Sequence, residues 1–247
     1  MLKKIFKMEV EEELKNNLSL HERELPDAIK RHIALCSLPE AAENLLIRWE
    51  DSRIRRGDRW MKIDMLQFNT PKPSRCVYIA GHFFWIPIEG LDLYSEGRGR
   101  MIIRALKFLG VADEHGPEMD RSALVTVLSE ALFLPSLTLM ECIEWYPLDD
   151  TRVEASISDH GVEASGIFSF DDHGRFVRFH TEDRHCAEFN RELHPWSVDV
   201  LSYREHHGFI YPHECTATWH LPDGDLKYFH GSIDEVQFNM KQLGIRL

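Results

Sequence analysis

Apolar and polar positions change rhythm along the chain. Residues 1–48 carry helical spacing. Leu14, Leu18 and Leu25 recur loosely, and after Pro26 the residues Ala28, Ile29, Ile33, Ala34 and Leu35 place one apolar face on a helix. Proline suits a first helical turn, so Pro26 opens that helix and Pro39 predicts a second short one reaching Ile47. From Trp49 the period shortens. Arg48–Arg55 and Trp60–Phe68 are strand-like and joined by the turn Arg56-Gly57-Asp58-Arg59. Pro71-Lys72-Pro73 then breaks the chain. Cys76–Ile86 is apolar at both odd and even positions, which predicts a strand buried on both sides. Leu91–Ser95 and Arg100–Leu106 predict a further pair, with Gly97 and Gly99 loosening the connection.

The clearest helix spans residues 120–134. Asp120 is its candidate N-cap, Leu124, Val127, Leu128, Ala131 and Leu132 form one apolar stripe, and Pro135 stops it. Beyond it, turn signals recur at Asp149-Asp150, Asp159-His160-Gly161, Asp171-Asp172-His173-Gly174, His206-His207-Gly208 and Pro222-Asp223-Gly224-Asp225. Alternating segments such as Ala164–Phe170 lie between them, the pattern of antiparallel hairpins. About ten strands are expected. The predicted fold is α+β but mainly antiparallel β: a large curved sheet or half-open barrel with an inserted helix. Residues 1–48 form an N-terminal helical segment and 49–247 a single curved domain.

Composition supports a packed core, with 43% hydrophobic and 11% aromatic residues in 247. The formal net charge of −12 gives no attraction for a phosphate backbone, so nucleic acid is not an expected partner. Cys36, Cys76, Cys142, Cys186 and Cys215 are odd in number, widely spaced and without Cys-x-x-Cys, which reads as thiols in a reducing compartment. The acidic run Glu11-Glu12-Glu13 arrives before any apolar core of a signal peptide, and no run of about eighteen apolar residues predicts a membrane span. A cytoplasmic protein is the expectation.

Motifs for nucleotide and acyl chemistry do not occur. Gly97-Arg98-Gly99 lacks its third glycine, no G-x-S-x-G is present, and His21-Glu22 meets Leu25 where a zincin motif needs histidine. The fourteen histidines, His180 and His185 among them, fall mostly in turns or on opposite strand faces, so neither a metal nor a cofactor is expected. Glu130 lies at the edge of the helix stripe. It is either a carboxylate in water or one that faces a cavity, paired with Arg184. Trp145, Trp196, Tyr203 and Trp219 are core residues or the walls of a ligand site.

Several short motifs share an order over Met119–Phe238. They are Glu130 to Pro135, Trp145 to Asp149-Asp150, Pro195-Trp196, Tyr203 to Gly208, Pro212, and Trp219 to Pro222-Asp223-Gly224, with Gly90, Asp92, Tyr94, Gly97 and Gly99 upstream. This order resembles a family of bacterial proteins of unknown function. The layout is similar to that of lipoprotein carriers of the LolA type, which implies an apolar hollow between a curved sheet and its inserted helix. The leading expectation is a noncatalytic protein that binds a lipid-like or other apolar small molecule. Candidate ligand-binding residues are Glu130, Trp145, Arg184, Trp196, Tyr203 and Trp219. Two alternatives stay open: a hydrolase or isomerase using Glu130 with His180 or His185, and an interaction module presenting a sheet edge to another protein.

Overall fold

A computed structural model describes residues 1–15, 23–39, 42–186 and 191–243. Leu18 and the His21-Glu22 pair fall outside these. Helix α1 (Leu2–Glu13) and helix α2 (Asp27–Cys36) come first. A six-strand meander follows: β1 (Leu45–Arg56), β2 (Arg59–Asn69), β3 (Arg75–Phe83), β4 (Ile86–Ser95), β5 (Arg98–Ala105) and β6 (Leu109–His115). Helix α3 (Pro117–Ser129), a 3₁₀ turn at Ala131–Phe133 and the short helix α4 (Pro135–Thr138) connect it to the second meander. That comprises β7 (Ile143–Pro147), β8 (Arg152–Asp159), β9 (Val162–Phe170), β10 (Phe176–Cys186), β11 (Glu192–His206), β12 (Phe209–Leu221) and β13 (Gly224–Phe238).

All thirteen strands form one antiparallel sheet, ordered β6-β5-β4-β3-β2-β1-β13-β12-β11-β10-β9-β8-β7. The two meanders join where β1 pairs with β13, Leu45 opposite Phe238 and Ile54 opposite Phe229. Helix α3 touches β4, β5 and β6 on one limb and β8, β9 and β10 on the other. A flat sheet could not reach one helix from both limbs, so the sheet curls around α3 as a half-barrel. Register shifts around Trp49, with Asp51 in the left-handed region, bend β1 at the middle of the curl. Gly231 admits that bend: a Cβ there would lie 2.6 Å from the Trp49 ring.

The helices cover both faces. Leu2, Phe6 and Val10, one helical turn apart, pack on the convex side against Leu46, Leu66, Phe68, Cys76, Leu91 and Ile102. On the concave side α3 is buried nearly all round, including Leu124, Val125, Val127 and Leu128. Its seat is close. A Cβ on Gly99 of β5 would lie 2.5 Å from the Met119 carbonyl and 2.7 Å from Ala123 Cβ. Tyr94 and the Gly97 amide both donate to Asp159, each at 2.9 Å, tying the β4–β5 turn to the β8–β9 turn.

The expected turns lie where the pattern placed them, between β1 and β2 and throughout the second meander. Four local expectations change. The helix expected from Pro39 to Ile47 is not formed: residues 42–44 are irregular and β1 starts at Leu45, because its apolar run pairs with both β2 and β13. Cys76–Ile86 is not one doubly buried strand. It turns at Phe84 (φ 57°) and Trp85, which project into solvent. Asp120 is not the N-cap: Gly116 holds that position, Pro117 starts the helix, and Asp120 instead accepts the Gly99 N–H at 2.7 Å. Helix α3 ends at Ser129, and Pro135 opens α4 rather than stopping a longer helix.

Candidate functional site

Between α3 and the concave face lies a cavity of about 200 Å³. Ile63, Met65, Val77 and Ile79 face it from β2 and β3, Trp196, Val198 and Ala217 from β11 and β12, and Phe133 from the 3₁₀ turn that follows α3. A second compartment of about 410 Å³ shares Ile54, Met101, Arg184 and Tyr228 with the first. It reaches towards Arg55, Arg56, Ile103 and Ala112, where the sheet opens. Two limbs that curl around one helix leave this space because α3 fills only part of the concave width.

Arg184 stands at the junction of the compartments. Its Nη1 donates to the Ser122 carbonyl at 3.0 Å and to Thr126 Oγ1. Its guanidinium carbon lies 4.2 Å from the Trp196 ring centre and 5.7 Å from that of Trp219, within cation–π range. Its Nε is buried and has no hydrogen-bond partner among the described residues. Trp196 donates to the Tyr228 hydroxyl at 3.1 Å, and Tyr228 stacks on Trp219 at 6.1 Å.

Glu130 lies in the cavity wall, but its partner is not Arg184. Arg75 Nε donates to both Glu130 carboxylate oxygens at 3.0 Å, and Arg75 also pairs with Asp92. The expected Glu130–Arg184 pair is therefore replaced by a buried Asp92–Arg75–Glu130 triad, because β3 rather than β10 faces the C-terminal end of α3. Burial pulls the Arg75 proton affinity down, but Asp92 and Glu130 outweigh it and hold the guanidinium above its ordinary value. Burial pushes Glu130 up, and Arg75 and Asn69 offset only part of this. A row of side-chain amides continues the network: Trp49 Nε1 donates to Gln67 at 3.0 Å, Gln67 to Asn69 at 2.9 Å, and Asn69 to Glu130 at 3.3 Å. Arg75, Gln67 and Asn69 were not singled out from the sequence, and Asp92 entered only as part of the motif order. The available signal was Gln67 and Asn69, which share the inward face of β2 with Ile63 and Met65.

Of the six candidate residues, Glu130, Arg184 and Trp196 line the first compartment, and Trp219 lines the second beside Arg184. Trp145 and Tyr203 line neither. Trp145 packs on Phe168 and donates to the Thr138 carbonyl at 3.0 Å. Tyr203 donates to the Phe176 carbonyl at 2.6 Å. Aromatic residues on a curled sheet divide between the core and the hollow by their height along the strand, which spacing alone does not encode.

The acid–base set imagined around Glu130 is not assembled. His180 meets Glu182 at 3.0 Å and His185 meets the Arg191 carbonyl at 2.7 Å. A serine–histidine–aspartate row does occur, with Ser197 Oγ 3.0 Å from His220 Nε2 and His220 Nδ1 2.7 Å from Asp225. Ser197 is 0% exposed, however, so no substrate carbonyl can reach its Oγ. Among the described residues no three His, Cys, Asp or Glu side chains converge on a metal position. Burial pushes the Cys36 and Cys215 thiols up to about 12, which leaves them unreactive at neutral pH.

Residues 19–231 match the model of a family described as a family of unknown function (DUF6544). The chain belongs to this family. Comparison with curated proteins gives no match. Solved structures with a distant likeness include a domain provisionally assigned as an outer membrane lipoprotein-sorting protein from Vibrio parahaemolyticus. It is 10% identical, with 88% of this chain and 93% of that one covered and a TM-score of 0.49. A DUF1329 family protein from Desulfovibrio piger gives 10% identity, the same coverage and a TM-score of 0.48. A LolA superfamily protein from Nitrosomonas europaea gives 7%, coverage of 86% and 92%, and 0.41. The fold of this family member rests on its own strand order. Among the described residues, no helix is long and apolar enough to cross a membrane.

Proposed function

We propose that the protein binds a lipid-like or other apolar small molecule in the hollow between the curled sheet and α3, without catalysis. The observation that carries this is Arg184. A guanidinium packed against two tryptophan rings lines both of two largely apolar compartments where they meet. A charged donor beside an apolar hollow is costly to a folded protein, and an acceptor group on a guest would offset that cost. Trp196 and Trp219 then frame the polar end of the guest, and Ile63, Met65, Val77 and Ile79 hold its apolar part. Each methylene transferred from water supplies about 0.8 kcal/mol before binding costs are subtracted. Glu130 serves the wall rather than the guest, since Arg75 and Asn69 already occupy its oxygens.

The test is organic extraction and mass spectrometry of the purified protein, with titration of an anionic naphthalene dye and its displacement by fatty acid. Dye binding should weaken about tenfold or more in Arg184→Gln, which loses a charge-assisted hydrogen bond. It should also weaken in Ala217→Phe, which fills the first compartment. Unchanged dye binding in both folded variants would remove the hollow as the binding site.

A further inference from the structure

Antiparallel strands in sequence order put alternate turns at the same end. The β1–β2, β3–β4 and β5–β6 turns therefore project side by side from one end of the first limb. Contacts between the turns confirm the adjacency: the Arg59 guanidinium carbon sits 4.9 Å from the Phe84 ring centre, and the Leu106 backbone amide donates to the Pro87 carbonyl at 2.9 Å.

The β3–β4 and β5–β6 turns are apolar where hairpin turns are ordinarily polar, and Trp60 stands beside the polar β1–β2 turn. Trp85 is 83% exposed, Phe108 76% and Phe84 67%, and Trp60, Leu106 and Leu109 are exposed beside them. Such a cluster is far from the scattered single apolar residues of an ordinary surface. Its charge also departs from the rest of the chain. Arg55, Arg56, Arg59 and Lys107 stand at or beside the three turns, where Asp58, paired with Arg55, is the one acid of their sequence stretches, while Lys62 pairs with Asp51 and Arg104 lies opposite Glu89 further along the strands. A molecule of formal net charge −12 thus carries a basic, aromatic tip.

We propose that these three hairpin ends are a membrane-docking tip, inserting Phe84, Trp85 and Phe108 at the headgroup–acyl boundary of a bilayer that contains anionic lipid. Aromatic rings favour that boundary, and arginine and lysine around them meet lipid phosphates. The negative remainder of the molecule is repelled by the same surface, which orients the approach tip first. Three narrow projecting loops suit a deformable bilayer better than the flat, complementary face a folded protein partner would need. The second compartment of the hollow reaches towards Arg55 and Arg56 at this same end, which gives a guest a short path between bilayer and protein.

Flotation of the full chain with vesicles of phosphatidylcholine, with and without phosphatidylglycerol, tests this. The protein should float with the anionic vesicles, less so as salt rises. The triple variant Phe84→Ser, Trp85→Ser, Phe108→Ser should bind at least about tenfold more weakly. These side chains are exposed, so the variant retains its fold, checked by its unfolding transition. Leu201→Ser, which removes an exposed apolar residue far along the sheet, should float like the wild type. Wild-type protein that stays with the unbound fraction overturns the proposal. So does a triple variant that floats undiminished, or one that only abolishes self-association. Docking is measured without reference to any guest, so it stands or falls separately from the binding reading.

Discussion

Acidification isolates one buried side chain. His32 of α2 is 1% exposed, with Phe170, Phe176 and Tyr203 around it at 6.0–6.4 Å between ring centres. Its Nδ1 accepts the Phe176 N–H at 3.2 Å. Burial holds the imidazole down at about 4, despite a hydrogen bond at Gly174 and the charge of Asp171 acting the other way. The unfolded chain takes up this proton below 6.5, whereas the folded one refuses it until about 4. Between those values the unfolded state holds more protons, so stability falls as pH falls. At about 1.4 kcal/mol per pH unit the gap amounts to about 3 kcal/mol, fully present above pH 6.5 and gone near pH 4. His32→Asn keeps an acceptor near Nδ1 but does not titrate. In urea unfolding, the stability of the wild type relative to this variant should drop by about 2 kcal/mol between pH 7 and pH 5. Carboxylates common to both proteins cancel in that difference. A constant difference across the range would refute the assignment of a buried neutral imidazole.

Three further substitutions, one of them a control, probe the frame of the hollow. Arg75→Met strands Asp92 and Glu130 in the interior and should cost about 3–5 kcal/mol in chemical denaturation; a loss under about 1 kcal/mol would mean that the triad is open to water. Gly99→Ala drives a methyl into the Met119 carbonyl and should cost about 1–3 kcal/mol, while Gly110→Ala, with no heavy atom within 4 Å of its Cβ, should be nearly neutral. Equal melting temperatures for the two would show that α3 does not seat on β5 so closely.

The sequence carried the sheet far better than the site. Turn residues such as Asp159-His160-Gly161 and Pro222-Asp223 mark hairpins because their preferred backbone angles are local properties. The strand β6, with Leu109-Gly-Val-Ala-Asp-Glu-His, was missed, since neither of its faces is buried and nothing imposes an alternation of apolar and polar residues. Continuous hydrophobicity misled at Phe83–Ile86, because an exposed apolar turn and a buried strand are written in the same residues. Glu130 was legible as a charge at the edge of an apolar helix stripe, and Arg184 only as its expected partner. Their actual partners were not, because pairing follows from which limb of the curled sheet meets which end of α3. That is set by register, and by the bend at Trp49, rather than by any residue's neighbours in sequence.

The seam between β1 and β13 also decides when the molecule can take shape. Each of the first six strands finds a partner next to it in sequence, so that limb can zip up early from local contacts. Strand β1, however, must wait for residues 224–238 before its second edge is paired, a separation of most of the chain. Such non-local pairing slows folding, and a greasy unpaired strand invites association with other copies meanwhile. Closure of the seam, which joins the two ends of the chain, is therefore expected late in its folding.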